Sequence, residues 1–195
     1  MKSKSIVILC AFLLPIAVSG QKNGLTPTEE CRMVKTADLA DSKAPTFANY
    51  SARTSQDGPR AKLDLASNPI AKTYRTVLRL AMAEGPNFAG RYKVGIWGCG
   101  TSCAMFAVIN LDTGRVITTK EFASVLGTYL MTDDFMPGTK SDSWGFRFKR
   151  NSNLLVVIGD PDEDESRTGA YYFVLRDERL TLIHTTHVTK NCDSH

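Results

Sequence analysis

After its first twenty residues the chain has no apolar run long enough to cross a bilayer, which takes about 20 residues, so no membrane span is expected. It has no glycine-rich phosphate loop and no dinucleotide fingerprint, so nothing in it points to a nucleotide cofactor. Serine, histidine and carboxylate residues do not assemble into a hydrolase triad. Charge of one sign is scarce. The formal net charge is +4, and Lys2 and Lys4 fall in a leader that is expected to be removed, leaving about +2. That is too little to argue for nucleic acid or an anionic membrane as a partner. There is no internal repeat and no low-complexity tract. These absences leave no cofactor, no metal and no catalytic residue to name, and the expectation is a protein that is not an enzyme.

What the chain does have begins at its start. Lys2 and Lys4 precede an apolar run from Ile6 to Ala17, and Val18-Ser19-Gly20 supplies small residues at the exit. That order is a secretory signal peptide spanning 1–20, which implies a periplasmic or secreted protein. Cys10 leaves with it. Cys31, Cys99, Cys103 and Cys192 remain, an even number in an oxidising compartment, where pairing is the rule. Four cysteines allow three connectivities. Cys99 with Cys103 is the local choice, and Cys31 with Cys192 then ties the N-terminal arm to the C-terminal tail. Closing so long a loop stabilises by roughly 4 kcal/mol in the chain-entropy model, less any strain.

About 175 mature residues with 43% apolar and 23% charged composition fit one globular domain with its own core. Residues 21–64 lack periodicity and read as an extended arm with turns; residues 65–195 read as a single α+β domain. A helix is expected from Pro69 to Glu84. Asn68 is placed to cap it, Pro69 suits its first turn, and Gly85-Pro86 stops it. Ile70, Tyr74, Val77, Leu78 and Ala81 share one face, with Lys72, Arg75 and Arg79 on another, read as the solvated side. Strands follow at Arg91–Trp97, Cys103–Leu111, Arg115–Thr119, Ser143–Lys149 (through Trp144, Phe146 and Phe148), Leu154–Ile158, Ala170–Leu175 and Leu180–His184. Short strands in hairpin order give a mainly antiparallel β meander with one packed amphipathic helix, stapled by disulfides. A curved sheet fits best, with a partial propeller or barrel as the other arrangements.

Three stretches invite chemistry. Trp97-Gly98-Cys99-Gly100-Thr101-Ser102-Cys103 joins two strands. Redox pairs usually have two intervening residues at a helix start, where the dipole acidifies a thiol; here there are three, between strands, which favours a structural staple. His184, His187, Cys192 and His195 resemble zinc ligands in kind but not in spacing, and His184 and His187 face opposite sides of a strand. Asp160-Pro161-Asp162-Glu163-Asp164-Glu165-Ser166 lacks the glycine and alternating ligands of a calcium loop and reads as a solvated turn.

The segment Gly85-Pro86-Asn87-Phe88-Ala89-Gly90-Arg91-Tyr92, followed by Trp97-Gly98-Cys99-Gly100-Thr101-Ser102-Cys103, resembles a family of uncharacterised bacterial exported proteins. Their pattern runs N-F-A-G-[HR]-Y, W-G-C-G-[TS]-[SA]-C, a D-x-[TK]-G hairpin, an asparagine-rich turn and a Y-Y-x-V strand. The last three are matched by Asp112-Thr113-Gly114, Asn151-Ser152-Asn153 and Tyr171-Tyr172-Phe173-Val174. The resemblance implies export and carries no catalytic residue. Arg91 stands where many relatives have histidine, which counts against a catalytic base at that position.

The expectation is a monomeric binding protein acting on a protein or envelope component, as an inhibitor or immunity-type factor would. Its surface would combine Arg91 and Tyr92 with Trp97, Gly98, Gly100, Thr101 and Ser102, because loops on a rigid scaffold commonly carry function. A thiol-disulfide or cysteine-nucleophile enzyme using Cys99 or Cys103, and a structural envelope protein, are the alternatives. Non-reducing peptide mapping of the mature protein is expected to return Cys99–Cys103 and Cys31–Cys192; free thiols, or Cys31 joined to Cys99, would overturn that pairing.

Overall fold

The computed structural model describes residues 27–54, 58–127, 130–132, 134–136, 145–190 and 192. The expected signal segment 1–20, Trp144 and His195 lie outside them. Among the described residues there are three α-helices: α1 (Pro27–Arg32), α2 (Pro69–Thr73) and α3 (Arg75–Ala83). The strands of the described residues, numbered in chain order, are β1 (Val34–Lys35), β2 (Tyr92–Gly100), β3 (Cys103–Asn110), β4 (Val116–Ile117), β5 (Val125–Leu126), β6 (Leu130–Met131), β7 (Phe146–Phe148), β8 (Leu154–Pro161), β9 (Gly169–Arg176) and β10 (Arg179–His187). The class is α+β.

The main sheet runs β10-β9-β8-β5-β3-β2, with β4 beside β3 and β7 beside β8, and it does not close. All its pairings are antiparallel. β5 is two residues long yet holds the halves together: Cys103 and Ala104 pair with Leu126 and Val125, which pair in turn with Asp160 and Pro161. At the opposite end the loop after α3 joins the halves again. Ala89 N–H donates to the Ser152 carbonyl at 3.2 Å and Gly90 N–H to that of Arg150 at 2.6 Å.

Alternation along each strand then sorts the side chains into three apolar layers. Tyr92 and Val94 of β2, Phe106 and Val108 of β3, Leu155 and Val157 of β8, and Phe173 and Leu175 of β9 face each other inside the curved sheet. On the outer side of β2–β3, Ala107 and Ile109 meet Leu78 and Met82 of α3. On the outer side of β8–β9, Leu154, Val156, Ile158, Tyr172 and Val174 meet Val34 and Leu39. The arm is therefore a packed layer. Its β1 pairs in parallel with β6, and further on Ala61 N–H and Asp64 N–H donate to the carbonyls of Leu111 and Gly114.

The expected single helix is two segments. Asn68 Oδ1 accepts from Ile70 N–H at 3.0 Å, as a cap should. At Tyr74 the backbone leaves helical angles (φ −102°, ψ 26°), and the Tyr74 ring lies 5.0 Å from that of Trp97. Gly95 on β2 admits α3 closely, since a Cβ there would sit 3.2 Å from the Ala81 methyl. Lys93, buried on the same face, reaches Glu84 Oε2 at 2.7 Å; a cation at that helix C-terminus is also favoured by the peptide dipoles.

Ala71, Leu78 and Met82 are the deepest helical side chains, whereas Val77 is half-buried and Arg79 exposed. Leu78→Ala is expected to cost about 2–5 kcal/mol of stability, and Arg79→Ala less than about 0.5 kcal/mol. Urea midpoints decide it; equal midpoints would mean that α3 does not seal this layer.

Candidate functional site

Both expected disulfides are present. Cys31–Cys192 joins Cα atoms 5.8 Å apart across 161 residues of chain, and Cys99–Cys103 joins Cα atoms 5.2 Å apart. The second closes the tip of the β2–β3 hairpin. Register runs from Gly98↔Ala104 to Gly100↔Cys103, with a bulge between. Ser102 takes a left-handed turn (φ 56°), and its carbonyl accepts from Gly127 N–H at 2.9 Å. Gly98, Cys99, Gly100 and Thr101 are exposed, Ser102 is half-buried and Cys103 is buried.

The expected surface is not one patch. Arg91 and Tyr92 stand at the far end of β2 from this tip, roughly 23 Å away at strand rise. Tyr92 is buried in the inner core. Arg91 is exposed, pairs with Asp112 at 3.0 Å and stacks over the Tyr92 ring. Trp97 faces α2 and α3, buried against Tyr74, with its Nε1 lacking an acceptor among the described residues. The Asn87–Tyr92 motif instead has a structural task. Asn87 pairs with both backbone groups of Val94 at 2.7 and 3.2 Å, Phe88 is fully buried, and Ala89 and Gly90 turn with positive φ.

His184 and His187 do not converge. His184 Nε2 lies 2.7 Å from Asp41 Oδ2, which also accepts from Thr186 Oγ1 at 3.2 Å. His187 packs edge-on against Tyr171 on the other face of β10. Among the described residues no group of three His, Cys, Asp or Glu is placed to hold a metal ion.

The acidic turn is more committed than its sequence suggests. Asp162 Oδ1 accepts from Ala123 N–H and Ser124 N–H at 2.9 and 3.2 Å, anchoring the approach to β5. Asp164 caps the 3-10 turn Glu165–Arg167 through Ser166 N–H at 3.0 Å. Asp160 sits at the end of β8. Cys103, Leu126 and Asp160 are register partners, so they point to one face across two strand spacings, roughly 10 Å. On β8 that face also carries Leu154, Val156 and Ile158: Asp160 is the next position in an apolar row.

Beyond Ile158 the row opens into a cleft of about 230 Å³. It lies between the arm, β5–β6, the acidic turn and the C-terminal tail that Cys31–Cys192 holds in place. Gly159, next to Asp160 on β8, occupies a position that only glycine suits. Its φ is +143°, and a Cβ there would fall 2.2 Å from the Leu126 carbonyl oxygen. Val34, Leu126, Leu130 and Val188 form apolar walls, with Asp160 among the polar groups lining the cleft. Burial pushes the Asp160 carboxyl above the usual carboxylate range; Glu165 and Asp164 push the same way, against the Thr168 hydroxyl. Thr168 Oγ1 lies 2.6 Å from Asp160 Oδ1 and 2.8 Å from the Glu165 carbonyl oxygen. The hydroxyl has one proton, shared between the carboxylate oxygen and the carbonyl. In sequence this residue belongs to the acidic run Asp160–Ser166, expected to be a solvated turn, and the continuous apolar run before it gives no sign of which face it takes.

With this geometry in view, comparison with protein-family models, curated proteins and solved structures returns no match for the chain.

A raised acid pKa in the folded state means the native protein holds the proton to higher pH than the unfolded chain does. Stability is therefore lost as pH rises from the ordinary value, 3.8, through the folded one. Asp160→Asn is expected to raise the melting temperature at pH 7 and leave it unchanged at pH 3. A destabilised variant at pH 7 would show that the ionised carboxylate is held by partners.

Proposed function

We propose that this is an exported protein, periplasmic or secreted, that works by binding a protein or another envelope component, as an inhibitor or immunity-type factor does. The observation that supports the reading is the hairpin tip. Gly98 to Thr101 project from the sheet, closed by Cys99–Cys103 and braced from the side by the Ser102–Gly127 hydrogen bond. A contact loop already ordered loses little conformational freedom on binding. The tip alone, without Arg91 and Tyr92, is the surface of this reading.

A second reading has its own observation. Cys99 is exposed and Cys103 buried, an arrangement in which an outside thiolate can attack one sulfur and leave the other held in the protein. Thiol-disulfide exchange is the corresponding activity.

Replacing Cys99 and Cys103 together with serine separates the two. So short a closed loop contributes about 2 kcal/mol of chain entropy, against typical domain stabilities of about 5–15 kcal/mol, so the variant should remain folded. Loss of partners captured by wild type from envelope extract, with only a modest fall in melting temperature, is the expected outcome. A folded variant that keeps every wild-type partner would make the loop a staple only. Turnover of a model disulfide by wild type and not by the variant would put the exchange reading in its place.

A further inference from the structure

We propose that the cleft beside Asp160 is a binding site for an alkylammonium group, carried by a free amine or by a lysine side chain. This goes beyond the hairpin reading and does not depend on it.

The charges around the cleft leave one group unmatched. Lys190 reaches Asp38 at 2.6 Å, and Arg32 lies 3.8 Å from Glu165. Asp164 spends its Oδ1 on Ser166. Asp160 remains. Among the described residues no lysine, arginine or histidine nitrogen forms an ion pair with it, and its hydrogen bond comes from Thr168 alone. A half-buried carboxylate without a cation is unfavourable in its charged form, and a ligand cation restores the balance.

The shape selects the kind of cation. A guanidinium binds a carboxylate through two parallel hydrogen bonds and needs both oxygens free. Here Oδ1 is engaged by Thr168, so a single oxygen is open, which suits the point charge of an ammonium. Its other protons can go to Ser166 Oγ, which lines the cleft and donates its own proton to Asp164. The apolar walls then receive the carbon stem. About 230 Å³ is below the 300–1,000 Å³ of sites for drug-sized ligands, so the stem is short. An anion is disfavoured, because both cations at the cleft already have carboxylates.

The test is an amide chemical-shift titration of the full mature protein at pH 7.5 and constant ionic strength. The probes are n-butylammonium, N-acetyl-lysine methylamide, n-butyrate and n-butanol. Saturable shifts centred on Leu126, Asp160, Thr168 and Val188 are expected for the ammonium probes. Asp160→Asn should weaken binding roughly 10–100-fold, the range of one charge-assisted hydrogen bond, with a melt confirming that it is folded. Binding of both ammonium probes assigns the site to lysine side chains; binding of butylammonium alone assigns it to free amines. Butyrate binding better than butylammonium, butanol binding equally well, unchanged affinity in the folded Asp160→Asn variant, or no saturable shift at tens of millimolar would each overturn the proposal.

Discussion

The architecture depends on two residues of β5. Among the described residues, Val125 and Leu126 carry the strand pairing from β3 across to β8. Because β3 and β8 otherwise carry separate neighbours, β4 and β7, the sheet opens along most of its length and pinches at this one point. That pinch lets inner faces meet as a core while each outer face needs its own cover. α2 and α3 cover one, the N-terminal arm the other. The stability of so short a join comes from its surroundings: Asp162 fastens the chain just before it, and Ser102 accepts from the residue just after it.

The same pinch places the hairpin tip and the cleft at one end of the molecule. Cys103, Leu126 and Asp160 share a row across three strands. The opposite end is given over to closure, through Asn87, Phe88, Ala89 and Gly90. A motif that looks continuous along the chain is thus divided by a strand's length into a structural part and an exposed part. Physical division of labour follows from extended geometry: residues six apart rise only about 9 Å along a helix, whereas on a strand they are roughly 20 Å apart.

Much of the fold was legible because its signals are local. Asn68-Pro69 and Gly85-Pro86 bound the helical region, and alternation or continuous apolar runs mark β2, β3, β8, β9 and β10. The disulfide pairing followed from counting and proximity. What was not legible depends on partners distant in sequence. β5 is too short for any periodicity and exists because β3 and β8 flank it. The break at Tyr74 coincides with stacking on Trp97, 23 positions on. The aperiodic arm gave no sign that Val34 and Leu39 would be buried, because their burial depends on the outer row of β8 and β9. At the candidate site, the exposed tip could be read from Gly98-Cys99-Gly100, but Asp160 could not be told from its acidic neighbours until the face of β8 was known.

The bridge between Cys31 and Cys192 sets an order of events during synthesis. Of the four bridged cysteines Cys31 emerges first and its mate last, 161 residues later, with Cys99 and Cys103 passing in between. A wrong partner is on offer for most of that time. The four-residue spacing of the middle pair removes the hazard by speed, since ends so close meet far more often than Cys31 can meet either. The quick bridge protects the slow one, and Cys31 is left with a single free thiol to find once the tail arrives.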